Sequence, residues 1–208
     1  MMARSTVALL GTLRELHDVL PHYDRSRLQE LVAAKKPDLL CVEVARQDWE
    51  ANDLARAPIE SRRVLAQLSA TTEITLVPIG AGGSSWAESG IAPPRGGLLA
   101  SVRGWLCSRL DRATVGLMQL AGGPHGVNSS FVEHFCGVLC ELQIALTDPE
   151  TRRGWVRKNE ELVEGILWAA RQDPGRRILV AVDCRRKHWL RRMLRSVADV
   201  TLVDFWKF

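Results

Sequence analysis

The chain has 208 residues and a mass of 23.2 kDa, about 1.4 times a typical domain, so it reads as one large domain or one domain with an insertion. Apolar residues make up 46% and charged residues 25%, a balance that excludes a disordered or collagen-like chain. The net charge of +4 is too small to imply a nucleic-acid partner by itself.

The longest apolar runs, 178–182 and 74–79, are too short to span a bilayer. The stretch 7–10 is shorter than a signal-peptide core, so a cytoplasmic protein away from membranes is expected. Five cysteines (Cys41, Cys107, Cys136, Cys140, Cys184) lie in apolar segments without a CxxC pair, and are expected as small core residues with free thiols.

In chain order, residues 6–10 read as a β-rich strand punctuated by Gly11-Thr12, and Tyr23-Asp24-Arg25-Ser26 opens a helix through Leu28, Leu31 and Val32. Lys36-Pro37-Asp38 stops that helix. The run 39–44 is continuously apolar up to Glu43, the mark of a strand covered on both faces. A helix over 58–68 and a strand over 73–79 complete a βαβαβ half with right-handed crossovers. Residues 80–97 are rich in Gly, Ser and Pro and read as a loop. They match neither a GxGxxG nor a GK[ST] phosphate loop, and Ser84-Ser85 form no GxSxG elbow. Three helical stretches follow, over 98–117, from Ser129/Ser130 through Ala145, and over 150–172. A buried strand at 177–182, a basic amphipathic helix at 188–197 and a last strand at 200–205 close the chain. The expectation is a single α/β domain over 1–208, with a central, mostly parallel sheet of about five strands flanked by helices. A helical insertion occupies about 98–150.

Four segments share their order and spacing with a known group. They are Leu9-Leu10-Gly11-Thr12; Lys36-Pro37-Asp38-Leu39-Leu40-Cys41-Val42-Glu43-Val44 followed by Arg46; Lys158-Asn159-Glu160; and the strand 178–183 followed by Arg186-Lys187-His188-Trp189-Leu190. Together they resemble the superfamily that includes TraB/PrgY, GumN, Tiki, erythromycin-esterase-like and ChaN-like proteins. The resemblance implies a hydrolase with two turn histidines as metal ligands, supported by a glutamate matching Glu43 and an asparagine matching Asn159. In register, the two histidines fall on Arg14 and Arg186, and a family glycine on Asp183. A guanidinium has no lone pair to give a metal and stays charged, so a divalent cofactor is doubtful on this sequence.

His17 and His188 lie just past the two displaced positions, and with Glu43 they are the candidate catalytic residues. Glu43 would orient or activate water, and an imidazole would carry the proton near neutral pH. Arg14, Arg46, Asn159, Asp183 and Arg186 are the candidate substrate-binding residues. Two readings stay open. In one, Glu43 and the arginines hold an anionic, ester or amide substrate. In the other they pair only with each other, the site is non-catalytic, and the helical insert mediates assembly. The cluster Arg185-Arg186-Lys187, with Arg191, Arg192 and Arg195, sits where a helix start favours anions. A small anionic molecule, a peptide or a second copy of the chain is therefore the expected partner. A nucleic-acid reader motif is missing.

Overall fold

The computed structural model describes residues 4–80 and 97–208. All but the first and last residue of the Gly/Ser/Pro-rich stretch, including Ser84, Ser85 and Trp86, lie outside the described residues. In chain order the elements are β1 Ser5–Thr12, α1 Arg25–Lys35, β2 Leu39–Val42, α2 Arg46–Glu50, α3 Ala66–Thr71 and β3 Thr75–Pro78. They continue with α4 Gly97–Leu120, α5 Pro124–Val127, α6 Ser130–Leu146, α7 Pro149–Gln172, β4 Arg177–Asp183, α8 Cys184–Arg195 and β5 Val200–Val203.

The five strands form one sheet in the order β3-β2-β4-β1-β5, and every pairing is parallel. This is the expected α/β architecture, and its cause is visible in the strands. Ala8, Leu10, Leu40, Val42, Leu179 and Ala181 pack on one face beneath α1, while Val7, Leu9, Cys41, Ile178, Val180 and Val182 pack on the other beneath α7 and α8. Strands with apolar side chains on both faces are stable only when helices cover both. Leu162, Ile166 and Ala169 of α7, with Leu190 and Leu194 of α8, supply the second cover. All five cysteines are buried and free. No helix among the described residues is long and apolar enough to cross a membrane.

Because β4 lies between β1 and β2, the chain leaves β1 in one direction across the sheet and leaves β4 in the other. Such a reversal opens a crevice at the carboxyl ends of the strands. Thr12 of β1 lies opposite Asp183 of β4 there, and Glu43 follows the end of β2 directly. Gly11 is held close by its neighbours. A Cβ on it would stand 3.3 Å from both Asn128 Oδ1 and Cys184 Cβ, and its N–H donates to Asn128 Oδ1 at 2.7 Å.

The start of the last helix differs from expectation. The last helix begins at Cys184 rather than near His188, because the Asp183 carboxylate accepts the Arg185 N–H as a cap. Arg186 and His188 are therefore helical residues. The third of the three helical stretches, α7, is a crossover helix packed on the sheet. α4 and α6 form a hairpin, tied by Gln143 Nε2 donating to the Cys107 carbonyl at 3.3 Å, and α6 packs in turn on α8, with Val132 and Cys136 in the core.

Candidate functional site at the strand ends

Two residues beyond β1 the backbone turns at Arg14, whose φ of 52° is left-handed and unusual for a side chain of this size. His17 holds the turn. The Leu13 N–H donates to His17 Nε2 at 3.0 Å, and the other ring nitrogen, Nδ1, lies 2.7 Å from the Tyr23 carbonyl. Accepting on Nε2 places the proton on Nδ1, so the ring is neutral and both nitrogens are used. Burial pushes its pKa down to about 4, against the opposing hydrogen bond to Tyr23. Tyr23 in turn donates its hydroxyl to the Gly11 carbonyl at 2.9 Å.

The turn delivers the Arg14 side chain into the crevice, where it is fully buried. Its guanidinium donates to Glu43 Oε2 and, through Nε at 3.1 Å, to Asp183 Oδ2. Glu43 Oε1 accepts the Asp183 backbone N–H at 2.9 Å and lies 3.6 Å from Arg186 Nε. Arg186 Nη1 donates to Asn159 Oδ1 at 3.2 Å, and Asn159 Nδ2 is anchored on the Trp155 carbonyl at 2.7 Å. Asp183 accepts from the Arg185 side chain as well, with Nη2 at 2.6 Å. Burial raises the Asp183 pKa, but Arg185, Arg14 and Arg186 outweigh it and hold the carboxyl far below the usual carboxylate range.

Glu60 is a member of this network that the sequence reading missed. Thr12 Oγ1 donates to Glu60 Oε1 at 2.8 Å, while Glu60 Oε2 is buried with no hydrogen-bond partner among the described residues. Burial pushes its pKa up to about 7, opposed by the charge of Arg14. Its signal in the sequence was its spacing, since Glu60 falls in helical line with the buried Val64 and Leu68, a carboxylate on an apolar stripe. The network thus sets Arg14, Arg185 and Arg186 against Glu43, Asp183 and Glu60, one carboxyl of which stands close to protonation at neutral pH. A second buried set adjoins it. Lys187 Nζ lies 3.1 Å from Glu133 Oε2 and 3.3 Å from the Asn128 carbonyl, and Arg191 Nη2 closes on the same glutamate at 3.1 Å.

Of the candidate residues, Arg14, Glu43, Asn159, Asp183 and Arg186 come together in one network. His17 reaches it only through the backbone of the turn that carries Arg14. His188 lies elsewhere, its ring against α6 at Gly137, where an added Cβ would stand 2.6 Å from it. Arg46 places its guanidinium 4.2 Å above the Trp168 ring. The two histidine positions that the resemblance assigns to metal ligands hold guanidiniums already bound to carboxylates. No group of three His, Cys, Asp or Glu among the described residues is arranged to hold a metal ion. The donor set therefore does not fit a two-histidine metal centre. No family model matches the chain, and neither the curated proteins nor the solved structures give a significant match.

Proposed function

We propose that the chain is a divergent member of the TraB/GumN/ChaN-like superfamily that binds rather than hydrolyses, with its strand-end crevice converted into an internal ion-pair core. One observation carries this reading: the buried guanidinium of Arg14 spans Glu43 and Asp183, filling with a fixed cation the position where relatives are expected to place an imidazole. The carboxylate expected to activate water is committed to two arginines and a backbone N–H. Those contacts engage both of its carboxylate oxygens.

The binding face of this reading is the α4–α6 hairpin. Leu99, Val102 and Leu106 run along α4 and Phe131, Phe135, Val138 and Leu142 along α6, all exposed, with Phe131 at 63% and Leu99 at 76%. Apolar rows of this extent on a helical pair mark an association surface. A second copy meeting this hairpin in a two-fold contact would bury these side chains. Light scattering coupled to size exclusion tests this directly. Phe135→Glu, an exposed change, is expected to convert a dimer to a monomer with an unaltered melting temperature. A monomeric wild type would overturn the assembly arm.

A hydrolase is the second reading, favoured by Glu60, a buried carboxyl with one free oxygen beside Arg14 and a pKa of about 7, suited to proton transfer. A panel of ester and amide substrates discriminates. Turnover by the wild type that is lost in Glu60→Gln, with the fold retained by circular dichroism, establishes the enzyme and defeats the first reading. Absence of turnover in both proteins leaves the binding role standing.

A further inference from the structure

Between α6, α7 and α8 lies a cavity of about 200 Å³. Its body is apolar. Trp155 and Trp189 meet edge to face with ring centroids 6.1 Å apart, and Cys140, Ile144 and Val156 complete the wall. Its remaining lining is cationic. Arg152, Arg185 and Arg192 reach it against a single carboxylate, Glu141, with His188 beside them.

These groups differ in how firmly they are held. Arg185 is buried and committed to Asp183, with Asp111 at 3.8 Å, so its charge is taken up at the inner end. Arg192 pairs with Glu141 at 3.2 Å, with both side chains more than half exposed. An exposed pair of this kind is weak and exchanges readily for another anion. Among the described residues the Arg152 guanidinium donates to the Ala145 carbonyl alone, at 3.3 Å. The opening is thus able to offer two guanidiniums to a carboxylate without breaking a buried contact. Gly137 preserves the space, since any side chain there would drive the His188 ring from the wall it forms.

We infer that this cavity is a binding site for a small aromatic carboxylate, its ring packed against the wall that Trp155 and Trp189 form together and its carboxylate on Arg152 and Arg192. Size supports one ring. An apolar cavity of about 150 Å³ accepts benzene, and the space here exceeds that by room for a short acidic arm. Charge supports the acid, because a neutral ring would leave the arginine excess unused, and an inorganic anion would leave the tryptophan wall uncovered. This site goes beyond the function proposed above: Arg185 links it to the ion-pair core, but neither Arg14 nor Glu43 lines it.

Isothermal titration of the full chain with phenylacetate, phenylacetamide and acetate tests the assignment. Phenylacetate is expected to bind at least about tenfold tighter than either control, the amide losing the charge and acetate the ring. Arg152→Ala combined with Arg192→Ala, both exposed, should reduce phenylacetate to the level of the amide. Val156→Trp should fill the cavity and abolish binding, with Ile144→Trp as the alternative if the first variant has an altered melting curve. Phenylacetate binding no tighter than acetate, or unaffected by both filling variants, would overturn the inference.

Discussion

The two ends of the sheet use the same residue types to opposite effect. At the amino ends of the strands, Arg176 pairs with Asp173 at 2.6 Å and approaches Asp38 at 4.0 Å, with all three side chains between about two-fifths and one-half exposed. At the carboxyl ends, Arg14, Glu43, Asp183 and Arg186 make comparable contacts with almost no exposure. Water screens the first set and has been removed from the second. Removing one member of an exposed pair returns its partner to water, whereas removing one member of a buried network strands a charge. The geometry of a salt bridge therefore says little about its contribution until its burial is known.

The sharpest way to break this comparison is Asp183→Ala. Asp183 neutralises Arg14 and Arg185 and caps α8, so its loss leaves two buried guanidiniums short of a partner. We expect a loss of about 3–5 kcal/mol, read as a fall in the urea midpoint. A loss below about 1 kcal/mol would mean that water reaches the network freely and that the contrast between the ends is false.

A smaller effect separates two titrations within the same end. Glu60 has its pKa raised to about 7, so the folded state binds its proton more tightly, and the stability this gives is lost as pH rises from about 4.5 through 7. His17 has its pKa lowered to about 4, so its contribution is present above about 6.5 and is lost as pH falls through 4. Each amounts to roughly 3 kcal/mol at full extent, and the two slopes oppose one another between pH 4.5 and 6.5. The wild type should therefore be nearly flat in stability over that range. Glu60→Gln should uncover a decline on acidification, measured by urea melts at half-unit steps. An unchanged profile in the variant would show that Glu60 titrates as an ordinary exposed carboxyl.

Breaking a neutral link should cost less again. Asn159→Ala removes one hydrogen bond to Arg186 and leaves the Glu43 contact in place. A loss of about 1–2 kcal/mol is expected, from the bond and from the buried space created, with the two-state urea slope unchanged. A loss as large as that of Asp183→Ala would make Asn159 a keystone of the network rather than a tether.

Much of this arrangement was legible in the residues. Continuous apolar runs at 39–44 and 177–182 announced strands covered on both faces, and strands alternating with helices announced a parallel sheet. The resemblance brought Arg14, Glu43, Asn159, Asp183 and Arg186 to one rim, where the structure has them in contact. What stayed hidden depended on direction rather than position. His188 looked close to the rim because the helix was expected to start there. With Asp183 as the cap, the helix begins four residues earlier and turns His188 toward α6. Arg46 was adjacent in sequence to the same strand end, yet the broad face of Trp168 captured it. Glu60 was passed over because its helix carries no motif, and only a fold shows that its buried stripe ends at Thr12.

The smallest effect belongs to the amino end and is the control for the rest. Arg176 lies at the surface, and its contacts to Asp173 and Asp38 hold it in a geometry that water offers to all three groups anyway. The Asp38 carboxylate keeps a separate task, since its Oδ2 accepts the Arg177 backbone N–H at 2.7 Å where β4 begins. Arg176→Ala should therefore leave the urea midpoint unmoved within error and the pH profile of the wild type intact, while Asp38→Ala, which also frees a strand N–H, should shift it measurably. Equal shifts in the two variants would mean that the ion pair, and not the backbone hydrogen bond, holds this edge, and exposure would then fail as the criterion separating the two ends of the sheet.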